Sequence, residues 1–171
     1  MGWKNVKEGY DIGHIVQVTD EGICIGSAFL HTILLIGLDG VLKKTEDRPI
    51  NANILRYQTE MMADPERLRA LVTTPDTFHT SIPVYTFDDT GILEKQCEET
   101  GWPNVTHDGC VMYENTFSTD LFTIVLLARS NARSRIRNLQ DAEDQHQQKL
   151  NSIRGQLAHQ RSLLAKLELD Y

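Results

Sequence analysis

Between Ser118 and Tyr171 the chain has no proline, and other turn-forming residues are scarce there. The last third therefore lacks the usual helix breakers while being rich in Leu, Ala, Gln, Arg and Lys, which predicts one long helix or a helical pair. Cysteine is sparse as well. Cys24, Cys97 and Cys110 are an odd number at spacings that form no Cys-x-x-Cys pair. That excludes a disulfide framework and a zinc site of the usual kind, and reads as reduced thiols in the cytoplasm. No apolar run approaches the roughly 18 residues that span a bilayer; the densest, Ile124 to Ala128, is short. The opening Met-Gly-Trp-Lys-Asn-Val has no apolar signal-peptide core, and Val6 stands where a myristoylation pattern needs Ser or Thr. Asn104-Val105-Thr106 thus has no secretory context as a glycosylation sequon. Gly-x-Gly-x-x-Gly and the phosphate-binding loop are both missing. No catalytic residue, cofactor or metal is expected.

What is present divides unevenly. The chain of 171 residues, 40% of them hydrophobic, suggests a compact domain over 1–117 and an extended segment over 118–171. Residues 1–117 carry 9 Lys and Arg against 18 Asp and Glu, whereas residues 118–171 carry 8 against 6. An acidic body repels a phosphate backbone, so nucleic acid is disfavoured as a partner. The same charge also suits an ordinary solvated surface.

The first 45 residues read as an antiparallel meander. Ile12 to Val18, Ile23 to Ala28, Thr32 to Leu38 and Val41 to Thr45 are the expected strands, with Asp39-Gly40 as a two-residue hairpin turn. Asp47-Arg48-Pro49 breaks the pattern. Asn51 to Met62 then predicts a helix with Ile54, Leu55, Gln58, Met61 and Met62 along one side. Asp64-Pro65-Glu66 starts a short helix over 65–72, with Asp as cap and Pro at the first position. Ser81 to Phe87 is a fifth strand, in which Pro83 argues for an edge or a strand start. Asp88-Asp89-Thr90 suits the cap of a helix over Gly91 to Glu99, and Val111 to Phe117 a last strand or a lead-in to the long helix. The fold class is therefore α+β, an antiparallel meander of four to five strands with short helices and a long C-terminal helix.

Ser118-Thr119-Asp120 supplies that helix with a cap and an acid. Its first turns, Leu121, Phe122, Ile124, Val125, Leu127 and Ala128, are apolar nearly all round and are expected to be buried. Further on, Leu150, Ile153, Leu157, Leu164 and Leu167 fall on spacings of three, four and seven, with Gln160 in the missing slot. This is a heptad seam, and extended backwards it takes in His146, Glu143, Leu139, Ile136 and Ala132. A single helix over the stretch would be roughly 80 Å long at about 1.5 Å per residue, and its apolar stripe would require another chain. The alternative is a hairpin turning within 140–149. Gln and Glu there, without Gly or Pro, favour the continuous helix. Gly155 costs about 1 kcal/mol against Ala but does not end a helix.

Several constellations have both a functional and a bland reading. Arg129, Arg133 and Arg137 stand four apart on one helical face, either a basic strip for phosphate or an acidic partner, or a solvated face. His79-Thr80-Ser81 fits one element of a two-histidine phosphoesterase, but His31-Thr32-Ile33, the other candidate, has no hydroxyl where one is needed. The segment Gly101 to Phe117 presents Trp102, Tyr113 and Phe117 among capping Asn, Asp and Thr residues. It is either a binding surface built on Trp102 and Tyr113 or a packed loop that seats the long helix. Its Trp102-Pro103-Asn104 turn and Tyr113-Glu114-Asn115 element resemble a linker in small uncharacterised proteins of tailed bacteriophages. The resemblance covers this segment alone and assigns no residue a role. It implies a phage accessory or host-takeover protein.

Two function classes are open. One is a non-catalytic protein-binding module, an inhibitor of a host defence protein, that self-associates as a dimer through its C-terminal helix. The other is a small enzyme or sequestering protein acting on a nucleotide or phosphodiester ligand at a subunit interface, using His79, His107 and nearby arginines.

Overall fold

The computed structural model describes residues 1–47 and 51–170. Arg48 and Pro49 of the expected break, and Tyr171, lie outside the described residues. In chain order the elements are α1 (Trp3–Gly9), β1 (Ile15–Thr19), β2 (Gly22–Gly26), β3 (Leu34–Ile36), β4 (Leu42–Lys44), α2 (Ala52–Ala63), α3 (Pro65–Thr73), β5 (Ile82–Phe87), β6 (Ile92–Cys97), β7 (Asn104–Val105), β8 (Val111–Met112), β9 (Phe117–Ser118) and α4 (Leu121–Asp170). The protein is α+β. It separates into two compact units, Met1–Val125 and Leu126–Tyr171.

In the first unit, β1 to β4 form the antiparallel meander that the sequence predicts, paired in chain order. Strand β2 is buried at every position because β1 and β3 flank it and Ile23, Cys24 and Ile25 have no polar face to offer solvent. The β3–β4 connection runs over 37–41 and is longer than a two-residue turn. Gly37 N donates to Val41 O and Gly40 N to Gly37 O, so Asp39-Gly40 sits inside a wider loop. Helix α3 begins as its sequence indicates: the Asp64 carboxylate accepts from Arg67 N at 2.9 Å, and Pro65 takes the first helical position. Helix α2 is capped by the Asn51 side chain, which accepts from Asn53 N at 2.9 Å.

The inward face of α2 differs from the expected one. Ile54, Tyr57 and Met61 are buried, whereas Leu55 and Met62 are exposed. Spacings of three and four select a single stripe, and Leu55 and Met62 fall to one side of it. Tyr57 belongs inside because its hydroxyl accepts from Gly13 N at 3.0 Å, which satisfies its polar end. Helix α1 is an addition to the elements read from sequence. Trp3, Val6 and Tyr10 recur at helical spacing and all enter the main core, together with residues of β1 to β3, α2 and α3.

The second sheet has the order β6-β5-β9. The helix expected over Gly91 to Glu99 is instead strand β6, in six-pair antiparallel register with β5 from Phe87↔Ile92 to Ile82↔Cys97. Asp88 does act as a cap, but of a turn: its carboxylate accepts from Thr90 N at 2.7 Å and from Thr90 Oγ1 at 2.6 Å. Gly91 then takes φ 141°, open to glycine and closed to a helix. Pro83 lies opposite Gln96, away from the short β9 pairing at Tyr85 and Thr86, so it interrupts no ladder to β9. Val84, Cys97 and Met112 form the centre of a smaller core, with Ile82 and Phe117 against it.

Helix α4 is capped by Asp120, whose carboxylate accepts from Phe122 N at 3.2 Å and Thr123 N at 3.0 Å. Of its first turns only Ile124 is fully buried, while Leu121 and Phe122 are exposed. A helix offers one face at a time, so an all-apolar circumference cannot all be covered. The helix has 50 residues, about 75 Å at about 1.5 Å per residue. It is continuous through 140–149 and through Gly155, which replaces the hairpin alternative. Among the described residues no helix is long and apolar enough to cross a membrane.

Candidate functional site

The second unit is one helix, so its side chains are placed by helical periodicity alone. Leu150, Ile153, Leu157, Leu164 and Leu167 are 41%, 60%, 48%, 57% and 49% exposed, and they share one face because their spacing follows the heptad. Isolated exposed leucines are ordinary on a protein surface; a contiguous stripe of them is not. Backwards along the same face, Leu139 and Ile136 are exposed too. Covering such side chains stabilises by about 1.5–3 kcal/mol for each one fully buried. Arg129, Arg133 and Arg137 are exposed on the same helix, and the side-chain amide of Gln147 donates to Asn151 Oδ1 at 3.0 Å, one turn on.

In the first unit, Gly101 to Phe117 folds as a small hairpin, with Asn104↔Met112 and Val105↔Val111 in register. That register brings Trp102 and Tyr113 to its open end. Trp102 precedes a cis peptide bond to Pro103 and is largely exposed. Tyr113 meets the edge of the His31 ring, with centroids 6.2 Å apart. The closed end is packed. Trp3 Nε1 donates to His107 O at 2.9 Å, the His107 ring stacks on Phe78 with centroids 3.8 Å apart, and His107 N donates to Gln96 O at 2.7 Å. Gly109 holds φ 78°, and a Cβ there would lie 2.2 Å from Val18 Cγ2, so only glycine fits. Burial pushes the Asp108 carboxyl up, but hydrogen bonds from Lys95 and Thr106 outweigh it and hold the group below its ordinary value. The closed end is therefore a structural device, while Trp102 at the open end is available for contact.

Between α1 and the chain leading into this hairpin lies a cleft of about 280 Å³. Its walls include Lys4, Lys7, Glu8, Glu98 and Asn104. Lys4 Nζ contacts Glu98 Oε2 at 2.9 Å and Glu8 at 3.5 Å. The hydrogen bond to Glu98 raises the Lys4 pKa against the opposing effect of burial. Glu98 in turn is lowered, first by the backbone N–H of His79 and then by Lys4. Asn104 is buried, yet neither its Nδ2 nor its Oδ1 has a hydrogen-bond partner. Buried amides are nearly always paired, and this one is enclosed in the wall of the cleft with both polar atoms unsatisfied.

Sequence reasoning reached Trp102, Tyr113, the arginines and the seam, but not the cleft. Asn104 looks like one more turn residue until β7–β8 pairing buries it. Phe29 was also passed over. It is 98% exposed on a loop pinned by Ser27, whose hydroxyl accepts from Leu30 N at 3.1 Å. His79 and His31 lie in loops attached to different sheets, not on the neighbouring strands that two-histidine chemistry requires. Among the described residues no three His, Cys, Asp or Glu side chains gather closely enough to hold a metal ion. No family model, curated protein or solved structure matches the chain.

Proposed function

We propose that this protein is a non-catalytic protein-binding module that self-associates through α4, with the first unit as the part that engages a host protein in the cytoplasm. One observation carries the reading: the apolar seam from Leu150 to Leu167 is exposed along an unbroken helix. A stripe of that length is stable in water only when another surface covers it, and a second copy of the same helix has the matching spacing. The likeness of Gly101 to Phe117 to a linker of tailed-phage proteins supports host takeover, the inhibition of a defence protein, as the setting. Trp102, Phe29 and Phe122 are exposed aromatic groups of that unit available for contact with that partner.

Light scattering tests the self-association directly. The intact chain gives the mass of two chains, and a chain truncated after Asn138 gives the mass of one. Equal single-chain masses refute the reading. Capture of a partner from a bacterial lysate by the intact protein, lost on Trp102→Ala, supports the host-binding part. His79→Ala and His107→Ala leave that capture unchanged at temperatures where both variants stay folded.

A further inference from the structure

The polar residues that interrupt the seam carry information about how two copies align. Resting on the reading of α4 as the self-association segment, we infer that two α4 helices pair antiparallel in one register, with Glu143 opposite Gln160 of the partner subunit. The two-fold axis then passes between Asn151 and Ser152.

Heptad geometry allows the alternatives to be compared. In an antiparallel pair, a position of one helix faces the other seam position of its partner, and the interface is self-complementary. Aligning Leu150 with the partner's Ile153 sets every other layer. Ile136 then meets the partner's Leu167, and Leu139 meets the partner's Leu164. Glu143 and Gln160, the seam's carboxylate and its amide, fall on the same layer. The Gln160 amide can donate to the Glu143 carboxylate, which offsets part of the cost of covering either group. On the flank, Arg133 comes beside the partner's Glu168, and no like charges meet among the flanking positions from 133 to 168.

Other alignments lose this match. Sliding one heptad either way sets Glu143 against an apolar partner, Ile153 in one direction and Leu167 in the other, and leaves Gln160 facing Ile136 or Leu150. One slide also puts Arg133 beside the partner's Arg161, and the other puts Arg154 beside its own copy. The parallel, in-register pair is worse. It stacks Glu143 on Glu143 of the partner subunit, two groups with no donor between them, and sets Lys149 beside the partner's Arg154. The favoured overlap runs from residue 133 to residue 170, inside the second unit.

A single spin label on the intact protein decides both orientation and register. The label is placed at Ser134→Cys in a Cys110→Ser background, since Cys24 and Cys97 are buried, and the distance between the two copies is read by pulsed electron resonance. The inferred pairing gives about 50 Å at about 1.5 Å per residue. A parallel pair gives less than about 30 Å, because two helices side by side measure only about 20 Å across. A slip of one heptad changes the antiparallel value by about 10 Å. A two-chain mass with any distance other than the first overturns this alignment while leaving self-association standing. A single-chain mass overturns both.

Discussion

The two units of this protein resolve the same physical problem in opposite ways. In Met1–Val125 the large apolar side chains are mostly enclosed by their own unit: Val6, Ile25, Leu34, Ile54 and Leu68 from five different elements meet in one core. In Leu126–Tyr171 a single helix carries its leucines and isoleucines at comparable density with its seam side chains exposed. The lesson is that enclosure depends on topology and not on composition. A meander and three short helices supply several surfaces facing one another; one helix supplies only one.

The comparison can be broken most sharply in the seam. Leu164→Asp in the intact chain should raise the dissociation constant for self-association by on the order of 100-fold or more, since both copies would place a charge in an apolar layer. Light scattering would report it, while the melting of the first unit stays unchanged. An unaltered two-chain mass would place the contact elsewhere. In the first unit, Leu34→Ala should cost about 2–5 kcal/mol of unfolding free energy in urea titration, with the association state unaffected below the transition. Loss of association without loss of stability would contradict the division into two independent solutions.

Smaller effects sharpen the alignment of the helices. Glu143→Leu and Gln160→Leu should each weaken or barely alter association alone, but together strengthen it by more than the sum, because both changes fall on one layer. Strictly additive effects in that double-mutant cycle would argue against the layer. The smallest effect concerns pH. Asp88 and Asp120 are held below their ordinary values, first by hydrogen bonds from the Thr90 and Thr123 side chains. Asp39 is lowered first by Lys43, and Glu98 by the His79 backbone N–H. Each folded value lies below its unfolded one, so the unfolded chain takes up protons first as pH falls. Their stabilisation is complete above the unfolded values of about 4 and is lost as pH drops through the folded ones. Thermal melts should therefore show a declining midpoint below about pH 4, less steep in Asp88→Asn. An identical decline would mean that the turn contributes nothing.

Where local rules suffice, the sequence was legible. Asp64-Pro65 starts α3, Asp120 caps α4, and the seam leucines mark a face from one end of the chain's last third to the other, because caps and heptads act over a few residues. Where distant segments decide, it was not. Ile92-Leu-Glu-Lys-Gln-Cys97 contains good helix formers, yet the six-residue ladder offered by Ile82 to Phe87 draws it into a strand. Helix α1 was readable in the spacing of Trp3, Val6 and Tyr10, but a seven-residue helix without a side-chain cap is marginal until α3 packs on it. The same reason hid the cleft: its walls come from the first turns of the chain and from residues near 100, which only folding brings together.

Composition and periodicity alone determined that this is an α+β protein with an acidic first part and a long terminal helix bearing an apolar stripe. Tertiary structure alone decided that Asn104 is buried with its amide unpaired, that Tyr57 and not Leu55 faces the core, and that Gly109 is the one residue able to sit against Val18. Helical period and capping are properties of neighbours in sequence. Burial and close approach are properties of neighbours in space, and nothing along the chain specifies those until the long-range pairs have formed.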